Sequence, residues 1–446
     1  MQWLLFFLCR VLCFLFFERF LVSDNMKDLV LKNASVFRGG CFELGDVSIR
    51  NGRIFSVGGS ADTVGADVID LAGKTVLPGL VDLHVHLREP GFEYKETIAS
   101  GTAAAASAGY TEIFSMPNLV PAPDSLENLA VQAEAIRRDA CIKVHPYGCI
   151  TMGQRGEGEL VDFEALAPYV AGFSDDGRGV QSDELMYKAM ELCSGCGKTV
   201  VAHCEVNELL RGGYIHDGDY ARAHGHKGIC SESEWKQIER DLELVRKTGC
   251  AYHVCHISTG ESVELIRRAK AEGLPVSCET GPHYLLLDDS CLCEDGAFKM
   301  NPPLRSASDR EALLEGITDG TIDCIATDHA PHSAEEKSRG LKDSAFGIVG
   351  LETAFPLLYT HLVKKNVIDM ERLIALMSCN PRRIMNLQPV EIGAPADLAV
   401  FDLDETYKID ASLFVSKGHS TPFDGWTVQG RCVMTLLGGR PVFRRK

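Results

Sequence analysis

Between residues 76 and 388 the chain repeats one pattern: a short apolar run, a polar break, then a longer stretch whose apolar positions share a helical face. Apolar runs at 80–85, 110–115, 141–147, 170–173, 199–202, 251–254, 275–279 and 322–326 predict strands. Amphipathic stretches at 96–108, 182–193, 233–248 and 261–272 fall between them and predict helices. Strand and helix in alternation give an α/β fold with a parallel sheet, and eight strands is the number that closes a (β/α)8 TIM barrel. Such a barrel keeps its chemistry at the C-terminal ends of the strands.

The pattern changes at both ends. Residues 29–36, 46–50 and 54–57 alternate as short strands, with Asn51-Gly52 as a hairpin turn. Residues 397–402, 426–428 and 431–436 read the same way around Gln429-Gly430. We therefore expect a small β-sandwich built from residues 26–75 and 389–446, flanking a barrel at 76–388. Residues 1–25 hold two apolar runs, 3–9 and 11–17, split by Arg10. They fall short of the roughly 20 residues that span a bilayer, and they lack the pattern of a secretory signal. We read Met26 as the functional start and the preceding segment as an apolar extension outside the fold, with a membrane-surface anchor as the alternative.

At 446 residues the chain exceeds one barrel domain, which leaves room for the β-rich ends. A net charge of −17 without a basic block argues against nucleic acid as a partner. It leaves open an anionic small molecule, provided a local cationic pocket exists. The 17 cysteines are scattered, so we read them as reduced in a cytoplasmic protein. Cys193 and Cys196 form a lone C-x-x-C, better read as helix and surface residues than as a zinc site.

Candidate chemistry follows the strand ends. His84 and His86 close the first strand two residues apart, so both side chains share one face, with Val81, Leu83, Val85 and Leu87 on the other. Asn118 follows the second strand, Asp175 and Asp176 the fourth, His203 the fifth, His256 the sixth and Asp328 the eighth. Taken singly, His203 or His256 is as easily an ordinary core histidine. Together, four imidazoles and carboxylates at matching strand ends supply ligands for two divalent metals, with one carboxylate as bridge. The ligand set favours zinc, with manganese, cobalt or iron as alternatives. Arg88 lies two residues beyond His86, and its guanidinium suits bidentate capture of a carboxylate.

Seven motifs carry a family resemblance: Asp-Leu-His-Val-His-Leu-Arg-Glu-Pro-Gly (82–91), Ser-Met-Pro-Asn (115–118), Phe-Ser-Asp-Asp-Gly (173–177), Val-Ala-His-Cys-Glu (201–205), His-Val-Cys-His-Ile-Ser (253–258), Lys-Met-Asn-Pro-Pro-Leu-Arg (299–305) and Ala-Thr-Asp-His-Ala-Pro-His (326–332). From about Lys27 to its end the chain resembles the amidohydrolase superfamily, and within it the type I dihydroorotases. The resemblance implies one metal on His84, His86 and Asp328, a second on His203 and His256, and Asp176 as bridge, which gives two zinc ions per subunit. Periodicity alone does not choose between Asp175 and Asp176. Residues 170–179 contain no lysine, whereas many relatives bridge their metals with a carboxylated lysine there, and this points away from hydantoinases, dihydropyrimidinases and allantoinases. For substrate contacts the resemblance adds Asn118, Asn301 and His332 to Arg88. The 333–350 stretch reads as a mobile loop offering backbone groups at Phe346 and Gly347. His145, His253, His283 and His329 are expected to be structural, and His216, His224 and His226 to lie on a surface loop.

The implied reaction interconverts N-carbamoyl-L-aspartate and (S)-dihydroorotate in de novo pyrimidine biosynthesis. Hydrolysing a cyclic amide near neutral pH needs a strong nucleophile, which two metals provide by acidifying a shared water to hydroxide. Asp328 beside it is placed to act as general acid and base. The alternatives are another cyclic amidohydrolase, acting on a hydantoin or allantoin, and a catalytically silent partner of aspartate transcarbamoylase. A homodimer, and association with that transcarbamoylase, are expected from the resemblance only.

Overall fold

Strands from the two ends of the chain meet in one sheet. The computed structural model describes residues 27–38 and 41–445, so the expectations for residues 1–25 and for Met26 lie outside the described residues. From the N-terminal side come β1 (Leu29–Arg38), β2 (Cys41–Arg50), β3 (Arg53–Val57), β4 (Asp67–Asp70) and β5 (Thr75–Pro78). The Asn51-Gly52 turn joins β2 and β3 with both residues at positive φ, as a tight hairpin of this kind requires.

The chain then runs through β6 (Leu80–Val85), β7 (Tyr110–Ser115), β8 (Lys143–Pro146), β9 (Thr199–Ala202), the two-residue β10 (Ile215–His216) and β11 (Gly228–Ile229), β12 (Ala251–Val254), β13 (Val276–Thr280) and β14 (Cys324–Ile325). It returns to the first sheet through β15 (Leu398–Lys408), β16 (Thr427–Leu437) and β17 (Arg440–Arg444). That sheet has the order β17-β16-β15-β5-β1-β2-β3, with β4 also on β1. Antiparallel pairing of Val76 with Val400 joins its two halves around a core that includes Leu31, Ile49, Val76, Val400 and Leu436.

In the middle region the named strands pair only in parallel, and the isolated bridge Thr151↔Leu160 is antiparallel. β6-β7-β8 form one group and β9-β12-β13-β14 another. Isolated parallel bridges Gly148↔Phe173, Phe173↔Val200 and Val85↔His329 connect the groups at both edges, so the pairings close on themselves.

The strand expected at 170–173 is reduced to those bridges, although its backbone is paired on both sides. Ala171 N donates to Pro146 O (2.9 Å), Phe173 N to Thr199 O (3.0 Å), and Val201 N to Phe173 O (2.8 Å). Gly172 lets the chains approach this closely, since a Cβ there would stand 2.7 Å from Thr199 O. The segment then turns away at Ser174–Asp176, which ends regular pairing.

Helices pack outside these strands. Ile98–Ser107 starts from a Thr97/Ser100 capping box and buries a face of small residues. Gly101 is needed where the helix meets Leu87, whose Cδ2 would lie 2.6 Å from a Cβ. Leu126–Asp139, capped by Ser125, and Ala307–Asp319, capped by Ser306, add two helices to those expected.

At the N-terminal ends of β6–β8, opposite the histidines, lies a buried charge cluster. Glu112 accepts from Arg382 Nη1 (2.6 Å) and Lys143 Nζ (3.3 Å), and its Oε2 lies 2.9 Å from His145 Nε2. Arg382 also donates to Gly79 O and Thr111 Oγ1, and Lys143 donates to Asp397. Burial alone would raise the Glu112 carboxyl, but His145, Lys143 and Arg382 outweigh it and hold it well below its ordinary 4.5. A depressed acid stabilises the fold above its unfolded pKa and loses that contribution as pH falls through 4.5 and below. Glu112→Gln is expected to cost about 3–5 kcal/mol at pH 7, because it leaves Arg382 buried without its counter-charge, while Lys143 keeps Asp397. It should also flatten the acid limb of stability. Denaturant titrations of both proteins at pH 7 and pH 4 check this: an equal pH dependence in the two would refute it.

Candidate active site

The end of β6 departs from simple alternation. Val81 and Leu83 pack with Phe114, Met116, Tyr147 and Val201, whereas Val85 and Leu87 pack in a different cluster with Ile98 and Ala105. This corrects the expectation that all four share one face. The register with β7 shifts between Asp82 and Val85, which moves later side chains to the other side. Asp82 holds the irregularity: its carboxylate accepts from the backbone N–H of His84 (3.0 Å) and from the N–H and Oγ1 of Thr327 (3.1 and 2.6 Å).

The result brings the expected ligand atoms together. His84 Nε2 lies 3.4 Å from Asp176 Oδ1 and 3.5 Å from Asp328 Oδ1, and His86 Nε2 lies 3.1 Å from Asp328 Oδ1. His203 Nδ1 and His256 Nε2 are 3.0 Å apart, each 3.7 Å from Asp176 Oδ1. An ion with bonds of about 2.0–2.2 Å in tetrahedral geometry spaces its ligand atoms by about 3.3–3.6 Å. His84 Nε2 and Asp176 Oδ1 are buried without a hydrogen-bond partner, a costly state for polar atoms unless something positive sits among them. The residues thus fit divalent metal.

Adjacent aspartates have separate tasks. Asp175 is consumed by the backbone N–H groups of Ile150, Thr151 and Gly156 and by the Thr151 hydroxyl. Asp176 faces the imidazoles, and although burial opposes its charge, His84, His256 and His86 hold its carboxyl well below the ordinary range. Arg88, His256 and Asp328 all have positive φ (62°, 29° and 46°), conformations that strain residues bearing a Cβ and that gather where side chains are aimed at a site.

Sequence reasoning overlooked Glu279, fully buried at the end of β13. It bridges His84 Nδ1 (3.0 Å) and His253 Nε2 (3.1 Å). With Nδ1–H donated to Glu279, His84 presents Nε2 as a bare acceptor, the form a metal ligand needs. A carboxylate at the end of an apolar strand was the available signal. His253 is thereby structural, as expected, and so are His145 on Glu112 and His329, whose Nδ1 accepts from Gly350 N. His226 pairs with Glu294, outside the centre.

A cavity of about 220 Å³ opens above this cluster. Every expected site residue lines it except His84, which is fully buried. Arg88 is anchored by Pro331 O (3.2 Å) and its Nη2 stands 3.3 Å from His332 Nε2. Asn118 spends its amide N–H on Asp176 O, and Asn301 on Glu205 Oε2, leaving both Oδ1 atoms buried and unpartnered. The 333–350 segment, expected as a mobile loop, is tied down: the Lys337 ammonium donates to Lys299 O, Ala345 O and Gly347 O at 2.7–3.0 Å. That fastening sets Phe346 and Gly347 at the rim.

Residues 73–262 match the dihydro-orotase-like family. The chain is 53% identical over 385 residues to a dihydroorotase of Geobacillus thermodenitrificans, covering 85% of this chain and 90% of that protein. It is 48% identical to a dihydroorotase of Geobacillus sp. strain WCH70, covering 94% and 99%. Among solved structures, L-hydantoinase from Arthrobacter aurescens superimposes with a TM-score of 0.81 at 28% identity, covering 94% of this chain and 96% of that one. Dihydropyrimidinase from Brevibacillus agri shares the fold with a TM-score of 0.81 at 22% identity, covering 94% and 95%.

The two aspartates are separable by experiment. Asp176→Asn should weaken divalent-metal binding by at least about tenfold with little change in Tm. Asp175→Asn should lower Tm while the folded fraction keeps its metal. Elemental analysis alongside thermal unfolding reads both, and the reverse pattern would reassign the residue facing the metals.

Proposed function

The chain belongs to the dihydroorotases of the amidohydrolase superfamily, cyclic amide hydrolases, and from that premise we propose how its residues interconvert N-carbamoyl-L-aspartate and (S)-dihydroorotate in pyrimidine biosynthesis. One observation supports the reading above others: a His/Asp cluster with metal-ligand spacing shares a cavity with the Arg88 guanidinium. We read the closed run of parallel pairings as a (β/α)8 barrel over residues 76–388, and the shared sheet as a β-sandwich from residues 26–75 and 389–446. His84, His86 and Asp328 would hold one divalent ion and His203 and His256 a second, with Asp176 between them. Zinc suits this nitrogen and oxygen set.

When bound, such ions acidify a water and polarise the attacked carbonyl. The protein's own groups do the rest. Asp328 is kept ionised, since His86, His84 and His256 outweigh the burial that would raise it. In the hydrolytic direction its carboxylate takes the proton released by the nucleophile and delivers it to the departing ring nitrogen. In the cyclising direction it takes the proton from the attacking ureido nitrogen. Arg88 receives the carboxylate that does not react, with His332 beside it, and the free Oδ1 atoms of Asn118 and Asn301 accept from ureide N–H groups. Phe346 and Gly347 close the rim over the ring.

Hydantoin and allantoin lack the ring carboxylate that Arg88 would grip. The complete ligand set and the shaped pocket count against a silent partner of aspartate transcarbamoylase. A homodimer, association with that transcarbamoylase and a cytoplasmic location go with the reading as proposals, the first two measurable by light scattering with and without the partner.

Zinc-supplied protein starting at Met26 should turn over both dihydroorotate and carbamoyl aspartate, and a chelator should abolish the activity reversibly. No turnover of either, or faster turnover of a hydantoin, would sink the reading. Asp328→Asn should lower kcat by about 10²–10⁴-fold. Arg88→Met should instead raise KM by about 10–100-fold, and steady-state kinetics in both directions separate the two effects.

A further inference from the structure

Lys95 lies in the turn after Arg88, where its N–H donates to Phe92 O. Its side chain is 13% exposed and its ammonium lies 2.9 Å from Glu336 Oε1 and 3.2 Å from His332 Nδ1. It reaches no predicted metal-ligand position and lies outside the residues lining the cavity. Its chemistry nevertheless decides what His332 can do.

An ammonium only donates hydrogen bonds, so His332 Nδ1 must accept. The ring proton then sits on Nε2, which lies 2.8 Å from the carbonyl oxygen of Phe346 and donates to it. The opposite tautomer would set Nδ1–H against an ammonium and a bare Nε2 against a carbonyl. Glu336 Oε2, 3.4 Å from Nδ1, is the nearby acceptor for that tautomer, but it already accepts from Ser333 N and Oγ. An imidazolium is disfavoured as well: the charged groups facing His332 are Arg88, Lys95, Glu336 and Lys337, and burial, followed by Arg88 and Lys95, pulls the ring down to about 3. Arg88 Nη2, 3.3 Å from Nε2, cannot bond to a nitrogen that carries hydrogen. The ring's one proton is spent on Phe346 O, so His332 takes nothing from Arg88, whose guanidinium is left to donate at the cavity wall, an arrangement that suits an anionic oxygen.

We propose that Lys95 is a positioning residue of the carboxylate subsite: it holds His332 as the neutral Nε2–H tautomer, so that the imidazole bonds the Phe346 carbonyl instead of capturing Arg88 and leaves the guanidinium to the substrate's unreactive carboxylate. This rests on the dihydroorotase reading. Lys95 touches neither substrate nor metal; it acts through the ring.

The test pairs Lys95→Met with Lys95→Arg in the zinc-loaded full chain. Side-chain nitrogen NMR assigns the His332 tautomer, and kinetics with dihydroorotate and carbamoyl aspartate give KM and kcat. Lys95→Met should raise KM about tenfold for both substrates with kcat within about twofold. His332 should lose its single Nε2–H form and titrate at higher pH, and Lys95→Arg should restore both properties. Unchanged KM, an unchanged tautomer, or a fall in kcat that tracks a fall in Tm would overturn the proposal. Absence of turnover by the unsubstituted enzyme would overturn the dihydroorotase reading and the proposal with it, whereas normal turnover beside an unaffected Lys95→Met overturns the proposal alone.

Discussion

The site depends on a carboxylate that never enters it. Asp82 is fully buried and accepts from the N–H of His84 on its own strand and from the N–H and hydroxyl of Thr327 just beyond β14. These bonds fasten the first parallel strand to the segment carrying Asp328, and they stabilise the register shift that turns His84 and His86 toward the other ligands. Joining the strand segments and gathering the histidines with Asp328 thus happen at one place. Hydrogen bonds from backbone groups are well suited to this, because they fix a main-chain path more firmly than side-chain packing does.

Around that fastening the protein builds in layers. Nitrogen and oxygen atoms of His84, His86, Asp176, His203, His256 and Asp328 converge. Behind them Glu279 fixes the imidazole of His84, and Asp175 fixes the turn that delivers Asp176. Before them, Arg88 and His332 form the cationic and donor-rich wall. A chain with a net charge of −17 still offers a local cationic pocket, since Arg88, Lys95 and Lys337 gather beside His332.

Most of this was legible as spacing. The strand ends carrying His84, His86, His203, His256 and Asp328 could be read from apolar runs, because each run ends in a polar residue aimed at the same face. Four strands, Leu80–Val85, Tyr110–Ser115, Thr199–Ala202 and Ala251–Val254, have the expected bounds, since buried parallel strands read as largely apolar runs. What stayed hidden depends on contacts distant in sequence. The choice of Asp176 over Asp175 follows from amides at Ile150, Thr151 and Gly156 that no local pattern links to residue 175. Glu279 and Lys95 are marked by no local pattern, because their partners, His84 and His253 for the one and His332 for the other, lie elsewhere in the sequence. The side exchange within β6 was missed because alternation assumes a regular strand.

The shared sheet has a consequence for how the protein is made. β5 finds its neighbour in β15, with Val76 opposite Val400, so the N-terminal strands leave the ribosome long before that partner exists. Until residues 398–401 emerge, β5 presents an open edge of unpaired amides and carbonyls, the kind of surface on which nascent chains join the wrong neighbour. Translation of nearly the whole polypeptide separates the two halves of one sheet. The sheet that begins the chain is thus completed only when its last strands arrive.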